Sequence, residues 1–295
     1  MTSQFVEQGG AITASPPRAG RLSRSFLALS AVAWREWGKF VRQKARWASA
    51  LVRPILWLVI FAAGFRSLLG VSIVPPYTTY VTYQEYIIPG LLGIVLLFYG
   101  MQSSLSMVYD REMGMMRLLL TAPIPRWILL LFKLMAAALL SVLQAYAFLL
   151  ITYGFSFLVP HLGAAIPWSG WLYIFIPLFL GGLMLAALGL LLSVYIRQLE
   201  NFAGTMNFVI FPMFFVSPAL YPLWKLREVG ADYIYWIAVI NPFSHCIELI
   251  RFAAYGEFQT MSFWVVIGCT AVFFCAAAVG YDPQRGMLRH IARSR

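Results

Sequence analysis

The chain has 295 residues, 61% of them hydrophobic and only 11% charged, with a formal net charge of +11 and a mean hydropathy of +0.77. Soluble domains carry about 25% charged residues, so the composition excludes an ordinary soluble protein. Nucleic-acid binding, the first thought for so basic a chain, is argued against by the placement of the charge, which sits between long apolar stretches.

Residues 1–24 are polar, basic and contain Gly and Pro, without the apolar core a secretory signal needs. Residues 1–25 are therefore expected to form a disordered cytoplasmic tail drawn to anionic lipid. Over 26–46 a helical wheel puts Ala33, Trp37, Phe40 and Val41 on one face and Arg35, Lys39, Arg42 and Arg46 opposite. That pattern predicts a basic amphipathic helix lying in the membrane surface.

Beyond it lie six apolar stretches, at 47–70, 86–109, 127–158, 170–196, 203–223 and 262–281. Each reaches about 20 residues, enough to cross a hydrocarbon core as a helix, the form in which a chain satisfies its own backbone in lipid. Span one is expected to start at Arg53-Pro54, where a first turn tolerates proline. The tyrosines Tyr80, Tyr83 and Tyr86 between spans one and two read as interfacial belt residues. Lys/Arg crowd residues 1–53, the connection flanked by Arg111, Arg117, Arg126 and Lys133, Arg197, and the tail with Arg285, Arg289, Arg293 and Arg295, whereas 71–85 and 159–169 have none. Eighteen of the 22 Lys/Arg thus fall on one side, which places both termini and the 110–126 connection in the cytoplasm. The fold expected is an all-α integral membrane protein of the cytoplasmic (inner) membrane, with one membrane domain over 26–285.

Two connections stand out. Asp110-Arg111-Glu112-Met113-Gly114 runs through Arg117 and Leu118 to Pro123, too short and too charged to cross, so a short helix on the cytoplasmic face is predicted. After Ser217-Pro218 and Pro222, residues 233–255 are apolar but broken by Asn241-Pro242 and carry His245, Glu248 and Arg251. A seventh span there would put the basic tail outside, so two external re-entrant helices are predicted, with Glu248 and Arg251 three apart and able to pair.

The missing chemistry also discriminates. There is no G-x-x-x-x-G-K-[ST] phosphate loop and no H-E-x-x-H, and His161, His245 and His290 are scattered. No catalytic residue, cofactor or metal site is expected in this chain. Cys246, Cys269 and Cys275 lack metal-ligand spacing and read as buried free thiols. The span middles read as free of Asp, Glu and Arg, unlike those of ion-coupled carriers. Gln144 and Asn207 read as helix–helix hydrogen-bonding positions.

Three stretches resemble the permease subunits of ABC-2 type exporters, especially the branch of nodulation-factor and drug-resistance exporters. They are Asp110–Pro123, Phe214-Phe215-Val216-Ser217-Pro218-Ala219-Leu220-Tyr221-Pro222, and Asn241-Pro242-Phe243-Ser244-His245 with Glu248 and Arg251. The resemblance covers about 26–285 and departs at Arg117, where the family often has an acid. It implies that 26–46 is an elbow helix and that 111–123 is a coupling helix docking on a separate ATPase, which would hold the ATP and Mg. It places Asp110, Arg111, Glu112, Gly114, Arg117, Leu118 and Pro123 at the coupling site. Asn241, Pro242, His245, Glu248 and Arg251 form an external gate or a structural closure. It also implies a second copy of the permease, as a homodimer, around a path for a lipid, glycan or amphiphilic small molecule. A non-transport scaffold or sensor anchor, and a membrane-embedded lipid-modifying enzyme, are the competing classes.

Overall fold

The computed structural model describes residues 51–60, 83–113, 125–158, 166–196 and 198–280, with isolated positions at 30–42 and Pro76. The expected tails at 1–25 and 286–295 lie outside the described residues, as do most of 26–46 and all of 114–124. In chain order the described helices are α1 (Leu51–Ile60), α2 (Tyr83–Glu112), α3 (Arg126–Leu158), α4 (Trp168–Tyr173), α5 (Phe175–Tyr195) and α6 (Leu199–Phe215). The remaining helices are α7 (Trp224–Glu228), α8 (Asp232–Ile240), α9 (Pro242–Ala254) and α10 (Thr260–Gly280).

The helices coincide with the apolar stretches because lipid leaves the backbone no other donors or acceptors. Four of them, α2, α3, α5 and α10, are long and apolar enough to cross a membrane, or five spans if α8 and α9 count as one. The chain is thus a helical multi-pass membrane protein. At about 1.5 Å per residue, α2 and α3 run to about 45–50 Å, so they overshoot the hydrocarbon or tilt within it. α8 and α9 meet at Asn241 with a bend of 76°.

α5 is the hub, packed against α2, α3 and α10, while α9 inserts Phe243, Cys246, Ile247 and Ile250 into the same core. Lipid gives no hydrophobic drive between helices, so close backbone approach through small residues does the work. At Gly100 of α2 a Cβ would come within 2.9 Å of the Ala186 backbone nitrogen of α5, closer than side chains pack. Only 11% of the spanning window of α10 is buried within the chain, the least of the four long helices.

Four expectations are corrected. Leu51 and Val52 are already helical ahead of Arg53, and the Arg53 guanidinium lies 4.0 Å above the ring of Phe98, the middle of α2. One turn further on, Trp57 meets Phe214 and Phe215 at the C-terminal end of α6. The described part of span one therefore starts two residues before Arg53, with Pro54 still in its first turn. Nor are the span middles free of Arg. Gln144 is buried with neither amide atom bonded and Asn207 is exposed, so among the described residues neither makes the interhelical bond expected of it. Of the three thiols only Cys246 is buried; Cys269 is half-buried and Cys275 exposed.

Candidate functional site

At one end of α2 two chain breaks are stitched together. α6 stops at Phe215, short of the apolar stretch that reaches 223, because 216–222 is held by side chains instead of its own helix. Ser217 Oγ donates to Phe214 O at 2.6 Å and accepts from Ala219 N, and the Tyr221 hydroxyl donates to Phe215 O. Asn241 joins this break to the next. Its Oδ1 accepts from Phe243 N at 3.0 Å as the N-cap of α9, with Pro242 at the first helical position. Its Nδ2 donates to Met213 O at 2.8 Å and Val216 O at 2.7 Å, carbonyls that the end of α6 leaves without helical partners.

Arg251 fastens α9 to the same break. Its Nη2 donates to Pro218 O at 2.6 Å and its guanidinium lies 4.1 Å above the Tyr86 ring, with the residue 4% exposed. The Tyr86 hydroxyl donates to the same Pro218 carbonyl at 3.1 Å, and Tyr83 donates to Leu220 O at 3.0 Å. Tyr83 and Tyr86 are thus buried structural donors and not the interfacial belt expected of them. Nothing in their sequence spacing shows this.

Glu248 and Arg251 do not pair. Glu248 Oε2 accepts from Ser262 Oγ of α10 at 3.2 Å, while Arg251 points the other way into the break. Ser262 Oγ also lies 3.2 Å from His245 Nδ1, and His245 Nε2 lies 2.9 Å from Val239 O. A carbonyl accepts only, so Nε2 carries a proton. The Ser262 hydroxyl thus links His245 and Glu248 of α9 to α10.

The other end of α2 carries Asp110 and Glu112. Two residues apart, they point in nearly opposite directions. Asp110 is buried and its Oδ2 lies 3.5 Å from Lys133 Nζ of α3. Glu112 is exposed, and its Oε1 accepts from Leu199 N at 2.8 Å, one of the donors that the start of α6 leaves unsatisfied. Neighbouring ends of three helices, α2, α3 and α6, are therefore tied through the last turn of α2. The side chain of Arg111, and Gly114, Arg117, Leu118 and Pro123 altogether, lie outside the described residues.

Among the described residues no group of three or more His, Cys, Asp or Glu could hold a metal. The ycf38 protein of Cyanophora paradoxa, named a transport permease, is 26% identical over 208 residues, 69% of this chain and 66% of that one. Its namesake in Porphyra purpurea is 25% identical over 211 residues, 72% of this chain and 68% of that protein. The chain thus spans about two thirds of the length of these curated relatives. Residues 28–255 match the model of the ABC-2 type transporter family, and the chain belongs to that family of membrane permeases.

Proposed function

We propose that the chain is the membrane-spanning subunit of an ATP-driven exporter. It crosses the cytoplasmic membrane six times with both termini inside, and two copies flank a path for a lipid, glycan or amphiphilic small molecule. Energy comes from a separate ATPase subunit, in keeping with the absence of a phosphate loop from the sequence. One observation carries the reading: α2 bears the acidic end of the proposed coupling segment at one terminus and the stitched closure at the other. A displacement delivered at Asp110–Glu112 has a rigid helix through which to reach Pro218, Asn241 and Arg251. Arg111, Gly114, Arg117, Leu118 and Pro123 supply the docking surface in this reading, with Asp110 acting inside the bundle.

Co-expression with a candidate ABC ATPase subunit should give a complex that survives affinity purification. In proteoliposomes that complex should hydrolyse ATP several-fold faster than the ATPase alone. An ATPase that neither binds nor responds would make the chain a scaffold. Orientation is checked separately in cells, with Cys275 replaced. An impermeant maleimide should label Thr79→Cys from outside and leave Arg289→Cys unlabelled. The reverse pattern would overturn the topology.

A further inference from the structure

Among the described residues, Arg53 is the one whose position contradicts the economy of a membrane helix. Its guanidinium lies level with Phe98, the sixteenth of the 30 residues of α2, and the residue is exposed. Among the described residues it makes no hydrogen bond and no ion pair; the Phe98 ring is its sole partner. A cation turned to hydrocarbon at that depth is costly, and a ring face offsets only part of the cost.

Among the described residues no acid lies beside it. On the described membrane helices the acids are Glu85, Asp110 and Glu112 near the ends of α2, Glu200 at the start of α6, Asp232 at the start of α8, and Glu248 bonded to Ser262 near the start of α10. None lies on α1 or in the middle of α2. The surroundings of Arg53 are apolar and aromatic: Val52 and Leu56 are exposed on the same helix, and Trp57 leads to Phe214 and Phe215, with Phe211 exposed beside them.

We propose that Arg53 is the headgroup site for an anionic amphiphile, a phosphate-bearing molecule whose apolar part lies along α1 and the C-terminal half of α6. The guanidinium fork suits a phosphate, to which it can donate two parallel hydrogen bonds. Phe98 holds the fork from behind, which leaves its open side for the ligand. This deepens the exporter reading and rests on it for the claim that the bound molecule is cargo.

The test uses the full chain in dodecyl maltoside, with dodecyl phosphate as probe and inorganic phosphate as the headgroup alone. Wild type should bind dodecyl phosphate at least about 10-fold more tightly than Arg53→Gln, with Arg53→Lys between them. Inorganic phosphate should bind neither protein at the same concentrations; binding equal to that of dodecyl phosphate would show a free-anion site and overturn the amphiphile. Arg53→Gln removes a charge from membrane depth, so it should unfold no sooner than wild type. Equal binding by wild type and Arg53→Gln would show that the guanidinium faces bulk lipid or a second copy, and would overturn the site. Phe98→Leu gives a second check, with binding weakened several-fold and the charge retained; unchanged binding would remove Phe98 from the site. These readouts need no ATPase, so a chain that binds dodecyl phosphate through Arg53 yet recruits no ATPase keeps the site and loses the exporter reading.

Discussion

Arg251→Ala should destabilise the protein by about 3 kcal/mol in equilibrium unfolding from mixed micelles. A hydrogen bond from a charged donor contributes about 1.5–3 kcal/mol, and a desolvated cation–π contact about 2 kcal/mol; partial refilling of the space returns some of that. Arg251 makes both contacts, to Pro218 O and to the Tyr86 ring. Arg251→Lys should recover little, because an ammonium cannot stack on Tyr86 and reach Pro218 with the same geometry. Glu248→Ala should cost less, since its carboxylate holds only the Ser262 hydroxyl. The exchange of the two charges, Glu248→Arg with Arg251→Glu, should show no recovery over Arg251→Ala. Recovery would mean that the two side chains pair directly, against the observed partners. A wild-type unfolding midpoint for Arg251→Ala would remove the residue from the closure.

Gly90 is the second position where a small change should have a large effect. It lies one turn inward from Tyr86, after Pro89, and a Cβ there would overlap the Ala219 carbonyl. The obstacle is backbone inside the stitched break, so no side chain can swing aside. Gly90→Ala gains about 1 kcal/mol of helix propensity, yet overpacking of this kind costs about 1–3 kcal/mol and occasionally more. Net destabilisation of about 2 kcal/mol is expected, with faster amide exchange over 216–222. Gly154→Ala is the matched control: it is in α3, and no atom lies within 4 Å of the added carbon. That variant should be neutral or slightly stabilised. If both variants behave alike, α2 approaches the break less closely than the Gly90–Ala219 contact requires.

The two variants act on one object, the junction of α2, the 216–222 break and α9. Arg251 holds it by charge and hydrogen bonding, whereas Gly90 admits it by leaving room. Their effects should not add, since residues sharing a partner segment couple. The junction joins two of the three motif stretches: Pro218 with its neighbours, and Asn241 through Arg251. Proximity of motifs that lie 33 residues apart between Pro218 and Arg251 is what gives the proposed closure physical content.

Local patterning was enough to define the long helices and the class of protein. The stretches 86–109, 127–158 and 262–281 became α2, α3 and α10 within a few residues, since lipid forces a long apolar segment to bond within itself. The break at Asn241-Pro242 was legible for the same local reason: proline cannot donate, and asparagine caps the next helix. The partners of the polar side chains came only from packing. Helical periodicity paired Arg251 with Glu248 one turn away, but the guanidinium found a carbonyl and a ring on other elements. Asp110 met Lys133 across a connection, Glu112 capped α6 from 87 residues away, and Arg53 came to rest at the middle of α2. Those outcomes depend on how closely helix backbones approach and at what depth each helix sits. Both are set by small residues such as Gly100 and Gly90 against their neighbours, a long-range fit that a period of 3.6 residues does not encode.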